Sequence, residues 1–496
     1  MGQSSDVKTA WESRQHLPWI VGCPADTFSA VVKQRIAQLI TLAHPRPLVL
    51  IADLNPVTFL ACFWAAMLQG CDLALANPTW GQREWQQVFD LLTPDLCWGQ
   101  PTLPWSTLPS PALRAHQSDP RILIPTGGTS GQVKFAIHTW ETLSAAVYGF
   151  IDYFECECLH AYCVLPLYHV SGLMQALRTW IAGGQLVVQP FKALLQGDRQ
   201  IQPDPAWFIS LVPTQLHRLL SADTTHPPAK FAGWLSRFRA ILLGGAPAWP
   251  PLLARAREQQ LPIALTYGMT ETAAQIATLK PQDFLKGLQS SGQVLPHARV
   301  MILPERGQLK TSASLTPRPL SANQVGHLCI QAESLMLGYL AQDTLAQDTM
   351  ADETDAVDTP TICYDALPSV STLSQYYPDD LGYLDPQGYL HIVGRANHKI
   401  LTGGENVFPA EVEAALWATC QVKDVCVMGL PDPDWGQTVA AFYVPAHAQV
   451  TAQTLKASLD RQLSAYKHPK WWIQLAILPR NAQGKLDRQA LLQGLR

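Results

Sequence analysis

The sequence predicts an α/β protein. It has a large N-terminal domain of parallel-rich sheets layered with helices, a small β-rich subdomain, and a small α+β C-terminal domain. Three observations predict this. Strand-sized apolar runs alternate with helix-sized ones from residue 47 to residue 243, the rhythm of a parallel sheet covered by helices. From Val300 the texture changes to short strands and turns. After Gly394-Arg395-Ala396-Asn397 comes a stretch of about a hundred residues, a usual domain size.

In order, residues 47–51 are a buried strand and 57–68 a buried helix started by Asn55-Pro56. That run is too short to span a bilayer. Strands follow at 72–76, 161–165, 185–188, 207–211 and 240–243, with helices near 172–181 and 214–220. The β-rich part holds strands at 300–303, 326–330 and 389–393. Residues 341–375 are rich in Asp, Thr, Ala and Ser, inside a span from Arg318 to Arg395 without Lys or Arg between them. They read as a solvated insertion. The C-terminal unit reads as a turn at Thr402-Gly403-Gly404, helix 409–419, strands 424–429 and 439–444, helix 454–463, strand 472–478 and a last helix from Asp487.

Composition narrows the function. The 496 residues exceed one compact core, and 47% are hydrophobic, enough for a sizeable interior. A formal net charge of −4 with no strong basic block argues against nucleic acid as a partner. Eleven scattered cysteines lack the spacing of a disulfide framework and fit a reducing, cytoplasmic setting. Cys156, Cys158 and His160 lie close together, but no second Cys/His pair sits at zinc-site spacing. Residues 1–11 carry no apolar signal core, and Asp6 stands where a myristoylation motif after Gly2 needs Ser or Thr.

Five motifs carry chemistry. After the apolar 122–124 run come Thr126, Gly127, Gly128, Thr129, Ser130, Gly131 and Lys134. Glycines bring backbone N–H groups close to a ligand, hydroxyls donate, and the lysine adds a mobile charge, so this is a phosphate cradle. It is not a Walker loop, because Gly131 is followed by Gln132. In the second motif Tyr267 can stack on a base, Gly268 lets the strand end turn over a ligand, Thr270 can donate to a phosphate oxygen, and Glu271 suits Mg²⁺. The third, Gly244-Gly245-Ala246-Pro247, lets a flat ring lie against the backbone. The fourth pairs Asp380, an acceptor for ribose hydroxyls, with Arg395, a phosphate partner. The fifth is the Gly484-Lys485 turn.

The order of these motifs, with Gly403-Gly404-Glu405-Asn406-Val407-Phe408-Pro409-Ala410-Glu411, resembles the acyl-adenylate-forming superfamily: acyl-CoA ligases, peptide-synthetase adenylation domains and luciferases. The resemblance runs from Asn55 to the C-terminus. It implies ATP, Mg²⁺ and CoA as cofactors and co-substrate, a small carboxylic acid as partner, and an acyl-AMP intermediate. It implies a large domain over 1–394, a hinge at 395–397 and a small mobile domain over 398–496. Carried over, the 126–131 loop and Lys134 hold the β- and γ-phosphates and Thr270 the α-phosphate. Glu271 helps bind the metal. Gly245, Ala246, Pro247 and Tyr267 enclose adenine, with Gly268 also at the nucleotide, Asp380 holds ribose, and Arg395 contacts ribose and phosphate. Lys485 bridges the acyl oxygen and the α-phosphate, and Gly403 and Gly404 line the pantetheine tunnel. Asn397 stands where many members have Asp, and Phe135 where glycine is common.

Residues 166–173, with His169, Ser171 and Gly172, resemble the segment lining the acyl pocket. His169 then sits where pocket and thiol tunnel meet. Ser291 and Gly292 match the pocket's border, although Gln293 and Val294 depart from the usual residues. Within the superfamily the segments 165–172, 210–220, 240–247 and 267–277 look most like the o-succinylbenzoate–CoA ligases of menaquinone and phylloquinone biosynthesis. The alternatives are another aryl- or medium-chain acyl-CoA ligase, a carrier-loading adenylation enzyme and, from another class, a non-catalytic nucleotide-binding module.

Overall fold

A computed structural model describes residues 6–42, 44–99, 101, 119–127, 133–225, 231–304, 318–340, 375–402, 405–432, 435–460, 462–480 and 486–494. The 341–374 part of the acidic stretch lies outside them.

The first sheet is six-stranded, in the order Gly338–Leu340, Val133–His138, Ile122–Gly127, Asp72–Leu75, Leu48–Ala52, Leu96–Gly99. Its strands Ile122–Gly127, Asp72–Leu75, Leu48–Ala52 and Leu96–Gly99 are parallel and Leu48–Ala52 is buried at all five positions, as a strand covered on both faces must be. The helix Pro56–Leu68 begins as the sequence predicts: the Asn55 side chain accepts from the N–H groups of Val57 and Thr58, satisfying two orphan donors. It packs into a core where Trp11, Trp64 and Trp180 crowd together, the rings of Trp11 and Trp180 stacked at 5.4 Å. Beneath them buried Arg14 donates to the carbonyls of Thr179, Trp180 and Gly184. A cation there meets the negative end of the helix Val170–Ile181, so the N-terminal segment anchors the helix whose N-cap is His169.

In the second, twelve-stranded sheet, Leu186–Val188, His160–Cys163, Trp207–Leu211 and Ala240–Leu243 are parallel, as expected. The β-rich part is spliced into this sheet rather than standing beside it. Ile263–Met269 makes the splice: its first residues pair in parallel with Ala240–Leu243, its last ones antiparallel with Ala274–Thr278. The antiparallel run continues through Gly292–Val294, Tyr389–Arg395, Asp380–Leu384, Gly326–Ala332 and Ala298–Leu303. One strand thus carries the chain from the helix-covered half to the β-rich half, and the second motif sits at its end.

A five-stranded sheet holds Ile400–Thr402, Glu405–Val407, Val422–Asp432, Gly436–Pro445 and Trp471–Gln474. It has a core of its own around Val412, Leu416, Val427, Tyr443 and Leu455. Trp417, on the helix Pro409–Ala418, stacks on Trp249 at 4.9 Å and 12°, joining this sheet to the helix Pro250–Glu258. Among the described residues, no helix is long and apolar enough to cross a membrane.

Candidate active site

The phosphate cradle is the mouth of a β-hairpin. Ile122–Gly127 and Val133–His138 run antiparallel, with Thr126 opposite Lys134 and Gly127 opposite Val133. Opposed residues share a face of the sheet, so the Thr126 hydroxyl and the Lys134 ammonium serve the same side. Phe135 is fully buried against Leu50, Trp85 and Leu340; its ring fills the sheet's far face, which accounts for an aromatic residue at this point. Gly128, Thr129, Ser130 and Gly131 lie outside the described residues.

The Thr270–Thr272 turn meets this hairpin. A bulge between Tyr267 and Gly268 bends the strand. A Cβ on Gly268 would stand 2.0 Å from the Ala274 carbonyl oxygen. That neighbour is backbone and cannot move aside, so Gly268→Ala is expected to cost about 1–3 kcal/mol, the range for overpacking, read as a lower midpoint in thermal or urea melts. His138 fastens the turn from the hairpin side. Its Nε2 lies 2.8 Å from the Thr270 carbonyl and its Nδ1 3.0 Å from Thr142 Oγ1. Burial pushes its pKa down to about 4, so the ring is neutral at pH 7, and the carbonyl accepts from Nε2–H. From the other side Tyr339 donates to Glu271 Oε1 at 2.5 Å, and Met336 N–H donates to the Glu271 carbonyl.

Tyr267, Asp380 and Arg395 meet beside the turn. The Tyr267 hydroxyl donates to Asp380 Oδ2 at 2.6 Å, and Arg395 Nε stands 3.4 Å from Asp380 Oδ1. Asp380 is buried while Arg395 is exposed, so the pair presents a fixed carboxylate below a reachable cation. Burial, then the Asp380 charge, holds the Tyr267 hydroxyl protonated. Gly245, Ala246 and Pro247 form an exposed turn after Ala240–Leu243, the strand next to Tyr267.

On the acyl side His169 is the N-cap of Val170–Ile181; its carbonyl accepts from Gly172 and Leu173, and its ring lies against Tyr168. Ser171 is exposed. Ser291 N–H donates to the Leu390 carbonyl, and Gly292 opens the strand between Ala274–Thr278 and Tyr389–Arg395. Gly403, Gly404 and Lys485 lie outside the described residues.

Sequence reasoning missed a buried polar cluster on this side. The Arg178 guanidinium lies 4.1 Å from the Phe150 ring centroid, and its Nε and Nη2 are buried without a hydrogen-bond partner among the described residues. His297 is likewise unpartnered at both ring nitrogens, and Gln175 at Oε1. Burial, reinforced by Arg178, lowers His297 to about 4, leaving it neutral. Gly149 makes room for it: a Cβ there would stand 1.9 Å from His297 Nδ1. Native interiors rarely leave such groups unpaired without a functional reason. The available signal was Arg178 as the one charged residue of the segment Val170–Ile181.

The structure brings together a hydroxyl-and-lysine hairpin of the first sheet, a carboxylate turn at the end of the splice strand and a Tyr–Asp–Arg cluster of the second sheet. The AMP-binding enzyme family matches residues 92–340, and the C-terminal domain of AMP-binding enzymes matches 411–485; the chain belongs to this family. Among its relatives, a 2-succinylbenzoate–CoA ligase from Enterococcus faecalis is 30% identical over 369 residues, 74% of this chain and 68% of that protein. One from Bacillus velezensis is 32% identical over 374 residues, 75% and 68% of the two chains. The fold is that of the o-succinylbenzoate CoA synthetase (MenE) from Bacillus subtilis in complex with the acyl-adenylate OSB-AMP (TM-score 0.75, 23% identity, 99% and 98% of the chains covered). It is also that of ATP-bound MatB from Rhodopseudomonas palustris (TM-score 0.78, 20% identity, 99% of each).

Proposed function

We propose that this enzyme is an ATP-dependent o-succinylbenzoate–CoA ligase of menaquinone or phylloquinone biosynthesis, acting in the cytoplasm. The acid's succinyl carboxylate attacks the α-phosphorus of ATP and expels pyrophosphate, leaving an acyl-AMP. The thiol of CoA then attacks the acyl carbon and expels AMP. The observation that carries this reading is the convergence of Tyr267, Asp380 and Arg395 beside the Thr270–Glu271 turn and the phosphate hairpin, in a chain whose relatives are 2-succinylbenzoate–CoA ligases.

In this reading the hairpin and Lys134 hold the β- and γ-phosphates, Thr270 donates to the α-phosphate, Asp380 takes the ribose and Arg395 the ribose and phosphate. Gly245, Ala246, Pro247 and Tyr267 enclose adenine, and His169 orients the acyl end. One hard carboxylate, Glu271, beside a phosphate cradle fits magnesium, which is held by one or two carboxylates plus substrate phosphates; when bound, the ion neutralises phosphate charge. Residues 398–496 form the small mobile domain, turning about 395–397 to present Lys485 for the first half and Gly403-Gly404 for the second. The separate core and sheet of that region support this.

The buried Arg178 favours an acid with a second carboxylate over a plain aryl or aliphatic acid. The test is a panel of acids with ATP, Mg²⁺ and CoA, read as AMP and thioester. o-Succinylbenzoate is expected to exceed benzoate and octanoate by on the order of 10⁴, the discrimination of a site built around a buried polar partner. A clear preference for benzoate or octanoate makes it a different acyl-CoA ligase.

A further inference from the structure

We infer that Tyr339, backed by Tyr376, is a positioning residue for the Glu271 carboxylate and sets how tightly the enzyme binds the divalent cation that accompanies ATP. The inference rests on the reading of Glu271 as the metal carboxylate.

The geometry brings three separate segments to one point. Tyr339 lies on the edge strand Gly338–Leu340, opposite Ala136 of the phosphate hairpin. Glu271 lies on the turn that follows the splice strand of the other sheet. Tyr376 lies on Gln375–Tyr376, opposite Ile330. The Tyr339 hydroxyl donates to Glu271 Oε1 at 2.5 Å, and the Tyr376 hydroxyl is 3.2 Å from that of Tyr339. All three side chains are half-buried. A hydrogen bond to an ionised acceptor is short and strong, and Glu271 Oε1 takes this one. Oε2 carries no hydrogen bond among the described residues, so one oxygen is held while the other stays available.

A glutamate alone on a turn samples several rotamers, and a metal ion must freeze one of them. Here a phenol anchored in the hairpin's own sheet freezes it in advance. The Met336 N–H on the Glu271 carbonyl, and the Ser334 hydroxyl on that of Thr272, hold the backbone beneath. Glu271 is therefore fixed relative to the phosphate hairpin through Tyr339, not merely through its own turn. Loss of such an outer partner typically costs 10–100-fold in metal affinity.

The experiment compares wild type, Tyr339→Phe, Tyr376→Phe and Glu271→Gln by titration calorimetry without acid substrate. ATP is titrated once with Mn²⁺ and once with EDTA, and the ratio of the two dissociation constants measures what the metal contributes. In Tyr339→Phe that contribution is expected to fall about 10–100-fold, with the EDTA value unchanged and excess metal restoring adenylate formation. Tyr376→Phe moves it less, in the same direction. A wild-type ratio in Tyr339→Phe, with only a lower melting temperature, overturns the inference and leaves the hydroxyl a structural role. A wild-type ratio in Glu271→Gln overturns instead the reading of Glu271 as the metal carboxylate.

Discussion

Lys485→Ala is expected to slow adenylate formation by about 10²–10³-fold, roughly 2.7–4 kcal/mol of lost transition-state stabilisation. The reason lies in the charges. A carboxylate must approach a triphosphate, anion against anion, and negative charge grows on the α-phosphate oxygens as the new bond forms. A fixed cation bridging the acyl oxygen and the α-phosphate acts where that charge develops, and so lowers the barrier rather than the ground state. The second half has no such need, because a thiolate attacks an acyl carbon already activated by its AMP leaving group. Single-turnover measurements separate the two: pyrophosphate release from ATP and acid falls with the substitution, while thioester formation from supplied acyl-AMP stays within a few-fold of wild type, well under the roughly 10²-fold loss of a transition-state contact. Equal losses in both halves remove Lys485 from the chemistry and with it the reason for a turning C-terminal domain.

How much was legible in the sequence depended on whether the signal was local. Strands buried on both faces, such as Leu48–Ala52, and the Asn55-Pro56 start of the next helix were legible because burial and capping write themselves into adjacent residues. The parallel core therefore emerged nearly whole. The edge strand Gly338–Leu340 was not, since three residues carry no periodicity and its pairing to Val133–His138 spans two hundred positions. The same holds for the splice: nothing in 263–269 announces that one strand pairs in parallel at one end and antiparallel at the other. For the candidate site, residues in Gly-rich or acidic motifs stood out because turns and ligand contacts need those residue types. His138 and Tyr339 did not, because each acts through a partner far away in the chain, and Arg178 did not, because only the fold shows that it is buried. A lone His, Tyr or Arg in an apolar context reads from sequence as a core residue.

Arg178→Met is expected to raise KM for o-succinylbenzoate and cut kcat/KM for it by roughly 2–5 kcal/mol, the cost of leaving one partner of a buried charge pair alone, which is about 30-fold to several-thousand-fold. The free enzyme holds a guanidinium with two buried nitrogens that have no hydrogen-bond partner among the described residues, on the helix Val170–Ile181. Burial pushes its pKa down only to about 9, so it remains a cation at neutral pH. The contact with Phe150 offsets part of the lost hydration, though a cation–π contact contributes only about 2 kcal/mol when desolvated. The balance is restored when an anion arrives, and o-succinylbenzoate carries a second carboxylate that the adenylation step leaves free. Two consequences follow that a packing role would not give. An acid with the same keto chain but no ring carboxylate should lose little on the substitution, since it never neutralised the guanidinium. Arg178→Met should also melt no earlier than wild type, because replacing an unpaired buried charge by an apolar side chain of similar length removes a desolvation cost. A variant that melts early and loses both acids equally would place Arg178 in the packing of Phe150, and the second carboxylate would then require a different partner.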